Sequence, residues 1–266
     1  MPTITLTSDM GTADHYVAAV KGMILGQMDQ VNVVDISHDI TPFDTAGAAF
    51  ILRHSWKNFG KGTVHIIGVN AETTLERPHR VVEAEGQYFV GTDNGIFALI
   101  LGQKPDAVYD LNIQMDSDVM TFPMRDVLVK AACHLARGGA PSFIGKEVPA
   151  IYPADDLRPV LEEGVIKGYV IHVDGYENVI TNIPRSLFDE VRKNRDFRIM
   201  MKRSTHDIRT ISTHYAAVPD GERVALFNEA ALLEIAINRG APGNGGGAAS
   251  LFGLKKGDFI RVEFDV

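Results

Sequence analysis

Residues 63–69 read TVHIIGV and run straight into Asn70. The stretch is apolar on both alternations of a strand, broken only by Thr63 and His65. Such a run suits a strand buried on both faces, as in a parallel sheet covered by helices. Toward the N-terminus, Asp44 opens a helix through about Trp56, and residues 31–36 form a β-branched strand. Residues 16–25 carry apolar side chains at helical spacing, with Asp14 placed to cap them. Before them come a loop, SDMGTAD (8–14), and a strand at residues 3–6. Toward the C-terminus, residues 80–84 and 88–90 flank Glu85-Gly86-Gln87 as a hairpin, and residues 96–101 and 127–136 are helical. Alternating strands and helices predict an α/β domain with a mostly parallel sheet over residues 1–140.

The pattern changes near Gly138. Gly138, Gly139, Pro141, Pro149, Pro153 and Pro159 crowd a stretch that reads as a linker, residues 141–164, with room for one helical turn. Short strands follow at 165–173, 179–183, 197–202, 207–212, 223–227 and 259–264, with a short helix from Pro184. Repeated short strands predict a small β-barrel or sandwich over residues 165–266.

Of the 266 residues, 45% are apolar and 23% charged, which is ordinary globular composition with enough apolar matter for a sizeable core. The net charge of −8 disfavours nucleic acid and anionic membrane surfaces, since both attract Lys and Arg. Cys133 is the single cysteine, so neither a disulfide framework nor a cysteine metal cluster is expected. The opening MPTITLTSD is not a signal peptide and no run is long enough to span a bilayer, so a soluble, cytoplasmic protein is expected.

Several motifs have a chemical reading beside a structural one. In SDMGTADHY (8–16), Asp9 follows the first strand, where parallel sheets bind ligands, and a carboxylate there can accept both hydroxyls of a ribose. A turn aspartate and a helix cap explain the same residues. In VNAETTLER (69–77), Asn70 and Arg77 could position an anion or a water, or simply belong to a surface loop. TDNG (92–95) is a turn signature, and Arg125 and Asp126 of TFPMRD (121–126) suit a helix start. In HVDGYENVITNI (172–183), Asp174, Asn178 and Asn182 recur every four residues. An asparagine amide matches the edge of an adenine, while Asp-Gly is also a strong hairpin turn. The glycines near Gly243 lack the Lys-Ser/Thr ending of a phosphate loop, and the scattered histidines form no zinc motif.

Taken in order, SDMGTADHYVAAVKGMI, GTVHIIGVN, FVGTDNGIF, RDVLVKAACHLA, HVDGYENVITNI, FNEAALLEIAINRG and GLKKGDFIRVEF resemble the S-adenosylmethionine hydroxide adenosyltransferases, a family that includes fluorinating and chlorinating enzymes. The resemblance spans residues 3–264. It implies an N-terminal α/β domain joined to a C-terminal β-barrel, and a homotrimer with the substrate between neighbouring subunits. It also implies displacement at the ribose C5′ of S-adenosylmethionine, with that molecule as substrate and no metal or cofactor. By this resemblance Asp9 holds the ribose hydroxyls, Asp14 and Asp174 face the methionine portion, Asn178 reads the adenine and Arg77 handles the attacking water.

Three positions depart from the family pattern. Asn70 stands where its water-handling set has Asp, Pro123 where it has His, and the Asn-Ser pair of its C-terminal site reads Asn228-Glu229. An amide cannot act as a general base, and proline has no side-chain donor or acceptor. A carboxylate at Glu229 could repel the methionine carboxylate. Three functions follow from these departures: cleavage by water or hydroxide to adenosine and methionine, displacement by chloride, or binding of S-adenosylmethionine or adenosine without turnover. The chain lacks the loop insertion of the fluorinating members, which favours the non-fluorinating branch, while the missing Asp and His, absent from the halogenating members too, count against water activation.

Overall fold

The protein is described from a computed structural model. It describes residues 1–102, 104–113, 121–154 and 157–265. The chain divides into two compact units, Met1–Asp155 and Asp156–Val266.

The first unit is built on a seven-stranded sheet ordered β2-β1-β3-β5-β4-β6-β7. Its strands are β1 (Thr3–Ser8), β2 (Asn32–Ser37), β3 (Val64–Gly68), β4 (His79–Ala84), β5 (Gln87–Thr92), β6 (Ala107–Leu111) and β7 (Gly145–Glu147). Strands β2, β1, β3 and β5 are parallel. The β4–β5 hairpin then reverses direction, and β6 and β7 continue antiparallel. Every residue of β3 is buried, as its sequence predicts. On one face Ile66 of β3 shares a core cluster with Val20 of α1 (Tyr16–Gln27) and Ala132 of α4 (Val129–Ala136). On the other, Ile67 joins Leu52 of α2 (Thr45–Arg53), Phe97 of α3 (Ile96–Leu101) and Trp56.

Asp44 caps α2 by accepting from the Gly47 amide at 3.0 Å. Asp14 does not cap α1. The residue at the cap position is His15, already in helical conformation, and no side chain bonds the first-turn amides there. A cap must sit in extended backbone for its oxygen to reach back to those amides, and His15 leaves Asp14 one residue too early.

Residues 141–164, expected as linker, carry a 3₁₀ turn (Pro141–Phe143), β7 and β8 (Val160–Glu162). Residues 155 and 156 of that stretch lie outside the described residues.

The second unit is a curled antiparallel sheet, a half-barrel, ordered β11-β14-β9-β10-β13-β12 with β8 on β9. Its strands are β9 (Val165–Val173), β10 (Val179–Pro184), β11 (Phe197–Met200), β12 (Arg223–Phe227), β13 (Leu232–Ile237) and β14 (Phe259–Phe264). Helix α5 (Arg185–Arg192) places Phe188 in its core, and α6 (Ala248–Phe252) adds Ala248. The strand expected at 207–212 does not form. Only Ile208 and Ser212 bridge to neighbours, and Arg209 and Thr210 between them are exposed. Among the described residues no helix is long and apolar enough to cross a membrane.

Candidate functional site

In the first unit, Asp9, Asn70 and Asp93 each lie just past the carboxyl end of a parallel strand, β1, β3 and β5. Ser8 pairs with Gly68 across β1 and β3, so Asp9 and Asn70 leave the sheet side by side despite 61 residues of separation. One carboxylate oxygen of Asp9, Oδ2, accepts the Phe43 amide at 2.8 Å and the Asn70 amide at 3.4 Å. Both amide-bearing residues sit in the left-handed region, Phe43 at φ 66° and Asn70 at φ 47°. Such conformations cost about 1–3 kcal/mol and persist where the surroundings require them; here they aim two N–H groups at one carboxylate. The other oxygen of Asp9 makes no hydrogen bond among the described residues, and keeps its acceptor capacity.

The loop carrying Asp9 is braced from β2. The Gly11 amide donates to the His38 carbonyl at 2.9 Å. Ser8 Oγ lies 2.7 Å from His38 Nδ1, and His38 Nε2 lies 3.2 Å from Asp35 Oδ1. Lys21 Nζ closes the chain at 2.6 Å from Asp35 Oδ2. Burial raises the Asp35 carboxyl, but hydrogen bonds and charge from Lys21 and His38 outweigh it and hold the group below its ordinary value. The sequence reading missed this brace; its only signal is a polar SHD (37–39) after a β-branched strand.

TDNG forms the expected turn, with Gly95 at φ 93°. Asn94 Nδ2 donates to the Asn70 carbonyl at 3.3 Å, tying the turn to the β3 loop. Asp93 is wholly buried and pairs with Arg80, whose Nε also reaches Asp110 at 2.6 Å. Arg77 sits in a tight turn closed by mutual backbone bonds with Thr74 of 3.2 and 3.1 Å. It is exposed, and its guanidinium forms no ion pair among the described residues. Pro123 begins the π-helical turn Met124–Leu128. It lines a cavity of about 540 Å³ together with Glu72, Thr73, Pro78, His79 and Val127. Asp14 is exposed and makes no side-chain bond among the described residues.

In the second unit, Asp174 organises the turn between β9 and β10. Its Oδ1 accepts the amides of Tyr176 at 2.9 Å and Asn178 at 2.8 Å, and its Oδ2 accepts Asn178 Nδ2 at 3.0 Å. Asn178 is buried, and its Oδ1 makes no hydrogen bond among the described residues. Asn182 is structural, since its Oδ1 accepts the Tyr169 amide at 2.7 Å within the sheet. Asn228 shapes the β12–β13 hairpin through the Ala230 and Leu232 amides, at 3.1 and 3.2 Å, and Glu229 is exposed at its tip.

Two further residues join this group, and the sequence reading named neither. Glu234 of β13 is only 2% exposed and accepts from Tyr215 Oη at 2.7 Å and Asn228 Nδ2 at 3.1 Å. Burial raises its carboxyl above the ordinary value, and the charges of Asp174 and Glu229 add to this; the Tyr215 and Asn228 bonds only partly oppose it. Burial and the bond to Glu234 likewise raise the Tyr215 hydroxyl. The second unit therefore gathers Asp174, Glu229 and Glu234 into one acidic patch. A lone Glu inside LLEIAI (232–237) was the available signal.

Comparison with known proteins gives a consistent answer. The model of the SAM hydroxide adenosyltransferase N-terminal domain matches residues 4–145, and that of the C-terminal domain matches residues 168–261. The (R)-S-adenosyl-L-methionine hydrolase of Thermus thermophilus is 31% identical over 98% of this chain and 100% of its own. That of Methanocaldococcus jannaschii is 33% identical over 75% of this chain and 72% of its own. A fluorinase from Actinoplanes is more distant, 23% identical over 89% of this chain and 91% of its own. An uncharacterized conserved protein from Thermotoga maritima has a similar structure, with a TM-score of 0.86 at 26% identity, covering 98% of this chain and 99% of that one. The chain belongs to the SAM hydroxide adenosyltransferase family.

Proposed function

We propose that the protein cleaves S-adenosylmethionine with water or hydroxide, releasing adenosine and methionine. Relatives named hydrolases are 28–33% identical to the chain, against 23–24% for those named fluorinases. The observation that carries the reading onto this chain is the Asp9 carboxylate. Two amides of residues in the left-handed region fix one of its oxygens and leave the other to accept, at the carboxyl end of β1 where a ribose diol would lie.

In this reading water attacks C5′ opposite the sulfonium, and the C–S electron pair leaves with the methionine sulfur. The sulfonium is already a good leaving group, so the protein aligns the nucleophile and strips its water. Asp9 holds the ribose, Asn178 reads the adenine through its amide, and Arg77, with Asn70 beside Asp9, positions the water. The family resemblance assigns Asp14 and Asp174 to the methionine portion and Asn228 and Glu229 to the C-terminal part of the substrate site; the second unit's acidic patch supplies negative potential for the sulfonium. No metal or cofactor takes part. A homotrimer follows from the family resemblance, and the lone buried Cys133 suits a reducing compartment such as the cytoplasm.

The test is incubation with S-adenosylmethionine in chloride-containing and chloride-free buffer, with products separated by liquid chromatography and mass detection. Adenosine and methionine in both buffers support the reading. A chlorinated adenosine formed only with chloride replaces it with halogenation, and binding without product replaces it with a binding protein. Arg77→Ala should lower turnover at least tenfold more than it lowers affinity; unchanged turnover would move Arg77 out of the site.

A further inference from the structure

With Asn70 and Pro123 where a base is needed, the hydrolase reading has no proton acceptor at either position. We propose that His79 takes the proton of the attacking water, from the cavity it shares with Pro123 beneath the 70–78 loop. The inference rests on the hydrolase reading of the same site.

His79 opens β4 and is 8% exposed. Its Nε2 lies 2.8 Å from the Ala71 carbonyl, which also accepts from Thr92 Oγ1 at 2.9 Å. A carbonyl only accepts, so Nε2 carries the hydrogen and the neutral ring keeps its lone pair on Nδ1. Nδ1 has no hydrogen-bond partner among the described residues, and His79 is one of the residues lining the cavity of about 540 Å³.

His65 in the same sheet shows what a purely structural histidine looks like here: both its nitrogens are engaged, Nδ1 with Thr5 and Nε2 with Gln87. His79 has only one nitrogen tied down. The bond also places it, because Ala71 directly follows Asn70, whose own amide faces Asp9.

Burial lowers the imidazole below its ordinary value, opposed by the Ala71 bond, so the ring is neutral and ready to accept at neutral pH. The charged neighbours leave that state in place. Glu72 faces the same cavity from the loop. Arg77 is exposed in that loop. Arg80, next on β4 and pointing to the opposite face, is committed to Asp93 and Asp110. In the step, a water O–H bond breaks toward Nδ1, the C5′–O bond forms and the C5′–S bond breaks onto sulfur. The products are adenosine, methionine and an imidazolium that returns its proton to solvent.

The test is His79→Gln, which keeps an N–H near Ala71 and removes the base. The expected result is a fall in kcat of about 10²–10⁴-fold, with S-adenosylmethionine affinity within about threefold by calorimetry, and with the acid limb of the kcat–pH profile abolished. His79→Gly should recover part of its activity with added imidazole, which a structural role would not allow. A glutamine variant that keeps kcat within threefold and retains the limb overturns the inference. If neither variant folds, the wild-type profile decides: a one-proton fall in kcat on acidification below pH 6.5 is expected, and a profile with no such limb down to the pH at which the fold itself is lost overturns it. Wild-type protein that forms no adenosine defeats the hydrolase reading instead, so the two failures are distinct.

Discussion

Acidification should unfold the first unit through His65, because its fold holds this ring neutral. His65 is fully buried in β3 and stacks on Phe89 with centroids 4.8 Å apart. Thr5 Oγ1 lies 2.7 Å from Nδ1, and Nε2 lies 2.9 Å from Gln87 Oε1. Gln87 Nε2 in turn donates to the Phe59 carbonyl at 3.2 Å. The chain of donors therefore runs from Thr5 through an uncharged imidazole to Gln87, and burial pushes the ring from 6.5 down to about 4, against the opposing Gln87 bond. The unfolded chain takes up the proton first. The stability owed to the neutral ring is present in full above pH 6.5 and is lost as pH falls from there to about 4. At about 1.4 kcal/mol per pH unit, this amounts to about 3 kcal/mol. Trp56 is the only tryptophan and packs edge-on against Phe89 at 5.3 Å, so its fluorescence reports this unit alone. Urea titrations at pH 7 and 4.5 should show wild-type protein losing about 2–3 kcal/mol more than His65→Gln. Parallel losses, within about 0.5 kcal/mol, would mean that the ring is already charged in the fold or that acid lets water reach it.

Three other outcomes are expected. Asp9→Asn removes the charged acceptor at the carboxyl end of β1 and should weaken S-adenosylmethionine binding by about 10–100-fold in calorimetry, the worth of a charged hydrogen bond, with little change in melting temperature. Gly247→Ala would put a Cβ 2.3 Å from the Tyr176 carbonyl oxygen and 2.5 Å from Glu177 Cβ. It should cost about 1–3 kcal/mol in thermal unfolding and weaken adenine recognition through Asn178. Glu234 resists ionisation in the fold, so the second unit should lose stability as pH rises above 4.5 toward the raised folded value. In thermal unfolding across pH 4–8, the stability of wild-type protein relative to Glu234→Gln should fall as pH rises.

The local signals that were legible came from strong periodicity or obligatory chemistry. β3 was readable because every one of its positions is buried. Asp44 was readable because a cap acts within three residues. β13 was not, because Ala230-Ala231-Leu232-Leu233-Glu234 is rich in helix formers, and pairing with β10 and β12 overrides that propensity. Residues 207–212 had strand composition but find partners only at two points. At the site, Asp9 and Asn70 could be placed at strand ends. That their backbones meet could not be read, since it depends on the β1–β3 register and on Phe43 adopting a conformation unusual for an aromatic residue. The Tyr215–Glu234 pair lies beyond local reasoning for the same reason, being made by folding and not by spacing.

The Arg80–Asp93 pair also sets where the first unit ends as a cooperative body. Asp93 Oδ2 accepts the Tyr152 amide at 2.9 Å, Arg80 donates to the Ala150 carbonyl at 3.0 Å, and the Arg80 guanidinium lies 4.9 Å from the Tyr152 ring. Residues 150–152 have no regular secondary structure, yet they are fastened to a buried ion pair. Amide exchange at Tyr152 should therefore be as slow as in the central strands, although the segment looks like an ordinary loop. A chain cut after Glu147 would leave Arg80 and Asp93 short of two polar partners and uncover an ion pair that is buried in the intact unit, so the folding unit extends past its last strand.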